Sequence, residues 1–141
     1  GVLPEQLTLE ITETAALPGH GGNSRTLTKL RDMGVEIAID HYASGLSTLE
    51  YLKRIPAREL KIDKSFIQAN DHSEADRLMV QSTINLAHSL GRKVVAEGVE
   101  RPETLARLRM MECDIAQGYL ISRPLSYDRL EKLLVKRRRA A

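Results

Sequence analysis

Five short segments with the alternating pattern of a β-strand, separated by helical patterns, constrain the fold more than any other feature. The segments are residues 7–13, 36–40, 59–63, 93–97 and 115–121. Helix signals lie between and after them, such as Ser73 before a long apolar stripe, Pro102 at a helix start and Ser126 before a last helix. Five strands alternating strictly with five helices predict parallel strands joined by right-handed crossovers, and therefore an α/β fold.

Two α/β architectures are consistent with this pattern. A closed barrel of eight strands takes about 250 residues, so a chain of 141 residues would supply about five of its eight units. An open, doubly wound sheet of five strands would fit the length by itself and is the structural alternative.

Composition narrows the class of protein. Hydrophobic residues make up 42% of the chain, enough for a core, and the net charge of +2 comes from nearly balanced signs. With four Tyr, one Phe and no Trp, the chain lacks the aromatic residues of a single-strand binder, so we expect no nucleic-acid polymer as partner. Residues 136–141 begin with a basic run and are expected to form a disordered tail.

Cysteine usage and hydropathy bear on location. Cys113 is the only cysteine, so no intrachain disulfide is possible and the expected location is the reducing cytoplasm. The surroundings of Cys113 predict an inert, buried thiol. No apolar run reaches the roughly 18 residues of a membrane helix, so we expect no membrane contact from this segment. A parent protein could still be membrane-anchored through upstream domains.

A polar residue lies near the C-terminal end of each predicted strand, on the face opposite the larger apolar residues. These residues are Glu10, Asp40, Lys61, Glu97 and Gln117. Strands of parallel sheets are normally continuous apolar runs, so five such positions are unexpected as surface decoration. In α/β barrels the carboxyl ends of the strands form the mouth that holds the chemistry. The pattern therefore predicts one shared site.

The residue types of this site suggest its chemistry. Three carboxylates suit hard divalent cations such as Mg²⁺, which takes oxygen ligands, and Lys61 could hold an anionic oxygen or a water. These residues predict a metal-dependent enzyme acting on an anionic substrate. They leave a phosphoester hydrolase and an enolase-like proton abstractor both open.

Five motifs in this order and spacing are jointly distinctive. They are Leu9-Glu10-Ile11-Thr12-Glu13, Ile39-Asp40, Leu60-Lys61-Ile62-Asp63, Val95-Ala96-Glu97-Gly98 and Ala116-Gln117-Gly118-Tyr119. Together they resemble the EAL-domain family of bacterial cyclic-di-GMP phosphodiesterases. The resemblance implies a TIM-like barrel that hydrolyses cyclic-di-GMP to the linear dinucleotide with Mg²⁺ or Mn²⁺. Residues 1–135 would then be the C-terminal part of an EAL domain.

The resemblance also implies roles for the metal ligands. Glu10 matches a ligand of the first metal, Asp40 the carboxylate that bridges both metals, and Glu97 a ligand of the second metal. His41 stands where the family has a second-metal carboxylate, because this chain reads Asp-His-Tyr-Ala-Ser-Gly-Leu where Asp-Asp-Phe-Gly-Thr-Gly-Tyr is usual. A neutral imidazole suits Mg²⁺ poorly, although Mn²⁺ or Zn²⁺ accepts it. Ala43 replaces the usual Gly.

Three further residues take roles from the resemblance. Lys61 matches the amine that contacts the nucleophilic water, and Gln117 matches a polar residue that supports the site. Glu13 matches the glutamate that anchors the loop after Asp40, a loop that couples dimerisation to catalysis in the family. We also expect Asp63 and Glu100 to make structural hydrogen bonds near the site.

These departures predict impaired hydrolysis, and this chain by itself is expected to be inactive. The Glu-Ala-Leu signature and a metal-binding Asn are absent and are expected upstream of Gly1. The alternative is an inactive EAL module that binds cyclic-di-GMP or a protein partner for signalling. Expected partners are cyclic-di-GMP and either the upstream part of the same domain or a second copy, as a homodimer. An independent metal-dependent lyase has no feature of its own in support.

Overall fold

The computed structural model describes residues 1–16, 23–42, 49–69 and 73–140. Within them one sheet contains β1 (Thr8–Thr12), β2 (Glu36–Tyr42), β3 (Glu59–Ile62), β4 (Lys93–Ala96) and β5 (Ile115–Ala116). The helices are α1 (Glu13–Ala16), α2 (Asn23–Asp32), α3 (Leu49–Arg54), α4 (Lys64–Ala69), α5 (Glu74–Ser89), α6 (Pro102–Met110) and α7 (Tyr127–Ala140). A short 3-10 turn, Pro4–Gln6, precedes β1.

The strand order distinguishes the two predicted architectures. The order is β1-β2-β3-β4-β5, and every neighbouring pair is parallel. A doubly wound sheet reverses its strand order at a switch point, whereas here each strand lies beside the one that precedes it in the sequence. The doubly wound alternative is therefore wrong, and the prediction of a barrel-type α/β fold is confirmed.

One face of the sheet packs against the helices and forms the core. Its fully buried strand residues are Ile37, Ile39, Leu60, Ile62, Val94 and Ala96. Ile67 of α4, Ile84 of α5 and Leu108 of α6 cover them. Burial of each large apolar side chain contributes about 1.5–3 kcal/mol, so the alternating apolar residues of the strands hold the helices on this face. The strand periodicity is confirmed.

Local signals set several helix ends as predicted. The Ser73 hydroxyl accepts a hydrogen bond from the Asp76 amide at 3.2 Å and caps α5. Gly91, with a φ of +69°, follows the end of that helix. Pro102 is the first residue of α6. Within the described ranges, no helix is both long enough and apolar enough to cross a membrane.

Two short helices interrupt the predicted alternation. The first predicted strand ends at Thr12, because the Thr12 hydroxyl accepts a hydrogen bond from the Ala15 amide at 3.2 Å and Glu13 starts α1. Helix α4 follows β3 directly, because the Asp63 carboxylate accepts hydrogen bonds from the Ser65 amide at 2.8 Å and hydroxyl at 2.6 Å. The prediction of a structural role for Asp63 is thus confirmed.

The C-terminal elements also differ from expectation. Strand β5 has two residues, whereas 115–121 was predicted, because the chain turns at Gly118 and the Ile121 amide donates to the Gly118 carbonyl at 3.0 Å. Helix α7 continues to Ala140, where a disordered tail from 136 was expected. Lys, Arg and Ala are good helix formers, which accounts for this extension.

Candidate functional site

Lys61 lies at the centre of the polar face of the sheet. Its ammonium nitrogen, Nζ, is 2.7 Å from Oε1 of Glu10 and also 2.7 Å from Oε1 of Glu97. The Lys61 side chain is only 6% exposed, against 52% for Glu10 and 19% for Glu97. These three residues, from β1, β3 and the residue after β4, form one group that we name the acid–amine cluster.

Strand register explains why these residues meet. The β1–β2 register pairs Glu10 with Ala38, and the β3–β4 register pairs Lys61 with Val95. Alternate strand residues share a face, so Glu10, Ala38, Lys61 and Glu97 lie on the same side of the sheet. Ala38 is fully buried on β2, between the strands of Glu10 and Lys61. The β2–β3 register pairs Ala38 with Glu59 and Ile39 with Leu60, so Lys61 lies further along the sheet than Ala38.

The cluster keeps Lys61 protonated. Burial lowers the pKa of Lys61, but the hydrogen bonds and negative charges of Glu10 and Glu97 outweigh burial and raise the pKa above its usual 10.5. At neutral pH Lys61 is therefore an ammonium, held between the side chains of Glu10 and Glu97. Lys61 donates hydrogen bonds to both of these side chains.

Backbone hydrogen bonds hold the segments that carry Glu97 and Gln117. The Glu97 amide donates to the Ile62 carbonyl at 3.1 Å, and the Gln117 amide donates to the Ala96 carbonyl at 2.8 Å. The Val99 amide then donates to the Gln117 carbonyl at 3.0 Å. Gln117 lies just beyond the end of β5 and its side chain is exposed. The two segments are therefore bound to each other beyond the strand ends, and Gln117, which was predicted within a strand, lies outside the observed β5.

Two glycines that belong to the sequence motifs, but were given no role there, make this close approach possible. Gly98 has a φ of +68°, and a Cβ there would fall on the side chain of Lys64. A Cβ on Gly118 would fall on the backbone of Val99. The signal in the sequence was a glycine directly after both Glu97 and Gln117. Glycine at these positions permits backbone contacts that no other residue allows.

The structure describes the other predicted site residues, Asp40, Glu13 and His41, in less detail. Asp40 is half-buried near the end of β2, opposite Thr12 of β1, and strand alternation puts it on the face of Ala38. Glu13 is only 3% exposed at the start of α1. The backbone of His41 belongs to β2, but its side chain and the loop 43–48 lie outside the described residues. The roles of His41 and of Glu13 as loop anchor stay predictions.

The donor atoms of the cluster fit a divalent cation in type. Glu10 and Glu97 offer carboxylate oxygens, which Mg²⁺ and Mn²⁺ take as ligands, and both already point at a positive charge. Across the ranges that the structure describes, no group of three or more His, Cys, Asp or Glu side chains is arranged to hold a metal ion. The position between the two carboxylates is taken by the Lys61 ammonium.

A second polar group lies at the opposite end of the sheet. The Asp114 carboxylate is 2.9 Å from Nε2 of His88 and accepts a hydrogen bond from the Val94 amide at 2.8 Å. Burial raises the pKa of Asp114, but His88 and the Val94 amide outweigh it and lower the pKa below 3.8. Burial raises the pKa of the Cys113 thiol, which agrees with the prediction of an inert thiol. At the start of β4 and β5 these residues tie α5 to the sheet.

Fold and cluster together define an α/β protein of barrel type with an acidic, lysine-centred site at the carboxyl ends of its parallel strands. The EAL domain family model matches residues 1–124. The chain belongs to the EAL domain family, and the resemblance found in the sequence is confirmed.

Three proteins that are similar to this chain show what its relatives are. The cyclic di-GMP phosphodiesterase NbdA of Pseudomonas aeruginosa is 44% identical over 128 residues, which are 91% of this chain and 16% of NbdA. A solved c-di-GMP complex of the MucR phosphodiesterase of the same species matches with a TM-score of 0.87 at 40% identity, covering 92% of this chain and 52% of that one. A manganese and cy-diGMP complex of Klebsiella pneumoniae BlrP1 matches with a TM-score of 0.79 at 32% identity, covering 87% and 31%. This chain spans about half or less of each.

Proposed function

We propose that this chain is part of a cyclic-di-GMP phosphodiesterase domain that hydrolyses cyclic-di-GMP to the linear dinucleotide. The observation that carries the proposal is the acid–amine cluster, in which Glu10, Lys61 and Glu97 converge from three strand ends. The cluster belongs to a chain whose relatives include the cyclic di-GMP phosphodiesterase NbdA and the MucR phosphodiesterase. A phosphodiester is anionic, and the site offers both a fixed positive charge and oxygen ligands for cations.

In the proposed mechanism Glu10, Asp40 and Glu97 would hold Mg²⁺ or Mn²⁺, and His41 would supply a further ligand. Bound divalent cations supply Lewis-acid stabilisation of phosphoryl charge and activation of water. The contribution of the chain itself is positioning: the carboxylates come from the ends of β1, β2 and β4, whose register is fixed by the parallel ladder. Groups held by several strands keep their geometry better than groups on one loop.

Lys61 and Gln117 act on the reactants in this proposal. Lys61, protonated and with a raised pKa, donates a hydrogen bond to the attacking water or to a phosphoryl oxygen and offsets charge that develops there. Gln117 is exposed beside the Glu97 segment, where its amide supports the same water or phosphate. Glu13, buried at the start of α1, is proposed to anchor the segment that follows Asp40, as the resemblance implies.

We propose that hydrolysis is impaired because His41 replaces a carboxylate. The test is turnover of cyclic-di-GMP by the full-length protein in Mg²⁺ and in Mn²⁺, with the linear dinucleotide separated chromatographically. We expect slow turnover in Mg²⁺ and a higher rate in Mn²⁺, because imidazole nitrogen is a poorer ligand for Mg²⁺. Absence of turnover in both metals would contradict the proposal.

The second candidate is a module that binds cyclic-di-GMP, or a protein partner, without hydrolysing it. It is favoured by the absence of a three-ligand group among the described residues and by His41 and Ala43 in the loop motif. Calorimetric binding of cyclic-di-GMP with no linear product in either metal would support this candidate over the enzyme.

The proposal also includes a partner that covers β1 and a location in the cell. Strand β1 is the first strand in the sheet order and pairs with β2 on one side, and on its apolar face Leu9, together with Leu7 just before the strand, is 42% and 47% exposed, respectively. An exposed apolar edge strand is normally covered, so we propose that the rest of the EAL domain or a second copy covers it, and that the protein is a homodimer. The single cysteine is consistent with a cytoplasmic location.

A further inference from the structure

The Lys61 ammonium occupies the position on which the carboxylates of Glu10 and Glu97 converge. We propose that Lys61 is an internal counter-ion that competes with divalent cations for the carboxylates of Glu10 and Glu97. A metal ion then binds only by displacing the ammonium. The inference rests on the proposed function in one respect, namely that these carboxylates are metal ligands.

The distances from Lys61 to the two carboxylates support this proposal. Both Nζ to carboxylate oxygen distances are 2.7 Å, which is the length of strong, charge-assisted hydrogen bonds. One oxygen of Glu10 and one of Glu97 therefore point at a single position. Mg²⁺ binds its oxygen ligands at about 2.1 Å, so an ion held by both oxygens would overlap the ammonium. The ammonium and a metal ion therefore cannot occupy this one position together, and their like charges repel.

Lys61 has the means to move. Its four-carbon stem has several rotatable bonds and its ammonium is a compact point charge, so another rotamer can withdraw the charge without moving β3. Displacement therefore involves a side chain and leaves the strand register unchanged.

The competition has two consequences for the site. Without metal, the ammonium keeps the largely buried Glu97 carboxylate paired, and an unpaired buried charge is strongly destabilising. When a metal ion binds, these ion pairs are broken, and the free energy that they contributed weakens the affinity of the site for the ion. Lys61 thus stabilises the metal-free domain and raises the cation concentration needed to load the site.

The experiment compares the full chain with its Lys61→Met variant, using Mn²⁺ alone as the probe. Lys93→Met is the matched control, because Lys93 is an exposed lysine at the start of β4, away from the cluster. Calorimetry measures Mn²⁺ affinity, and thermal melting is recorded with and without Mn²⁺. We expect Lys61→Met to bind Mn²⁺ about tenfold more tightly, since a nearby positive charge is gone. We also expect it to melt lower without metal and to gain more from Mn²⁺, while Lys93→Met behaves like the parent.

Equal or weaker Mn²⁺ binding by folded Lys61→Met, or no binding by either protein, would overturn the inference. If Lys61→Met does not fold, the parent chain decides: with ¹⁵N-labelled lysine, the Nζ resonance of Lys61 should shift in proportion to bound Mg²⁺. A resonance that stays fixed while calorimetry records Mg²⁺ binding would also refute the competition. The proposed function is judged separately, by turnover of cyclic-di-GMP, so the two failures are distinguishable.

Discussion

Replacement of Gly118 by alanine tests whether close packing beyond the strand ends supports the site. A Cβ on Gly118 would fall on the backbone of Val99. That backbone cannot move aside easily, because Val99 donates to the Gln117 carbonyl and accepts from the Leu120 amide, both at 3.0 Å. Either the two segments separate or these hydrogen bonds break.

The magnitude follows from the two possible costs. Overpacking by one methyl group costs roughly 1–3 kcal/mol, and loss of a buried backbone hydrogen bond adds about 1 kcal/mol. We therefore expect Gly118→Ala to lower the free energy of unfolding by about 3 kcal/mol. Gly91→Ala is the matched control, since Gly91 has a φ of +69° but open space around it. Its cost is conformational only, roughly 1–2 kcal/mol.

Urea unfolding followed by circular dichroism measures both variants against the parent chain. The steric account requires that Gly118→Ala loses more stability than Gly91→Ala and that its slope against urea is unchanged. In the full-length protein, Gly118→Ala should also slow turnover, because Gln117 and Glu97 are displaced. A Gly118→Ala variant as stable as Gly91→Ala, or more stable, would refute the reasoning.

Three further outcomes are expected. His41→Asp in the full-length protein should raise turnover in Mg²⁺ several-fold, because a carboxylate is the better ligand; chromatographic rates unchanged from a fast parent would contradict this. Asp114→Asn should cost about 1 kcal/mol of stability at pH 7. Folding lowers the Asp114 pKa, so this contribution is complete above the unfolded value near 3.8 and is lost as pH falls below it. The urea unfolding curves of the two proteins should therefore converge in strong acid. A stability difference that stays constant with pH would count against the His88 pair. Light scattering of the isolated chain should show association, as expected if β1 is covered, and a stable, well-folded monomer would argue against a covered edge.

Much of the fold and part of the site followed from local sequence. The alternation of Ile37 and Ile39, or of Leu60 and Ile62, identifies strands because side chains of a strand point to opposite faces. The same periodicity put Glu10, Lys61 and Glu97 on the face away from the core. Helix ends at Ser73 and Gly91 were also readable, because caps depend on a few neighbouring residues.

Only the tertiary structure decided how these pieces combine. The sequential strand order, which excludes the doubly wound sheet, depends on which strands pair. The contact of Lys61 with two carboxylates depends on the register across β1, β2, β3 and β4. The short β5 and the packing of Gly118 on Val99 depend on a neighbouring segment. Periodicity is a local property, whereas register and close approach belong to pairs of segments distant in the chain.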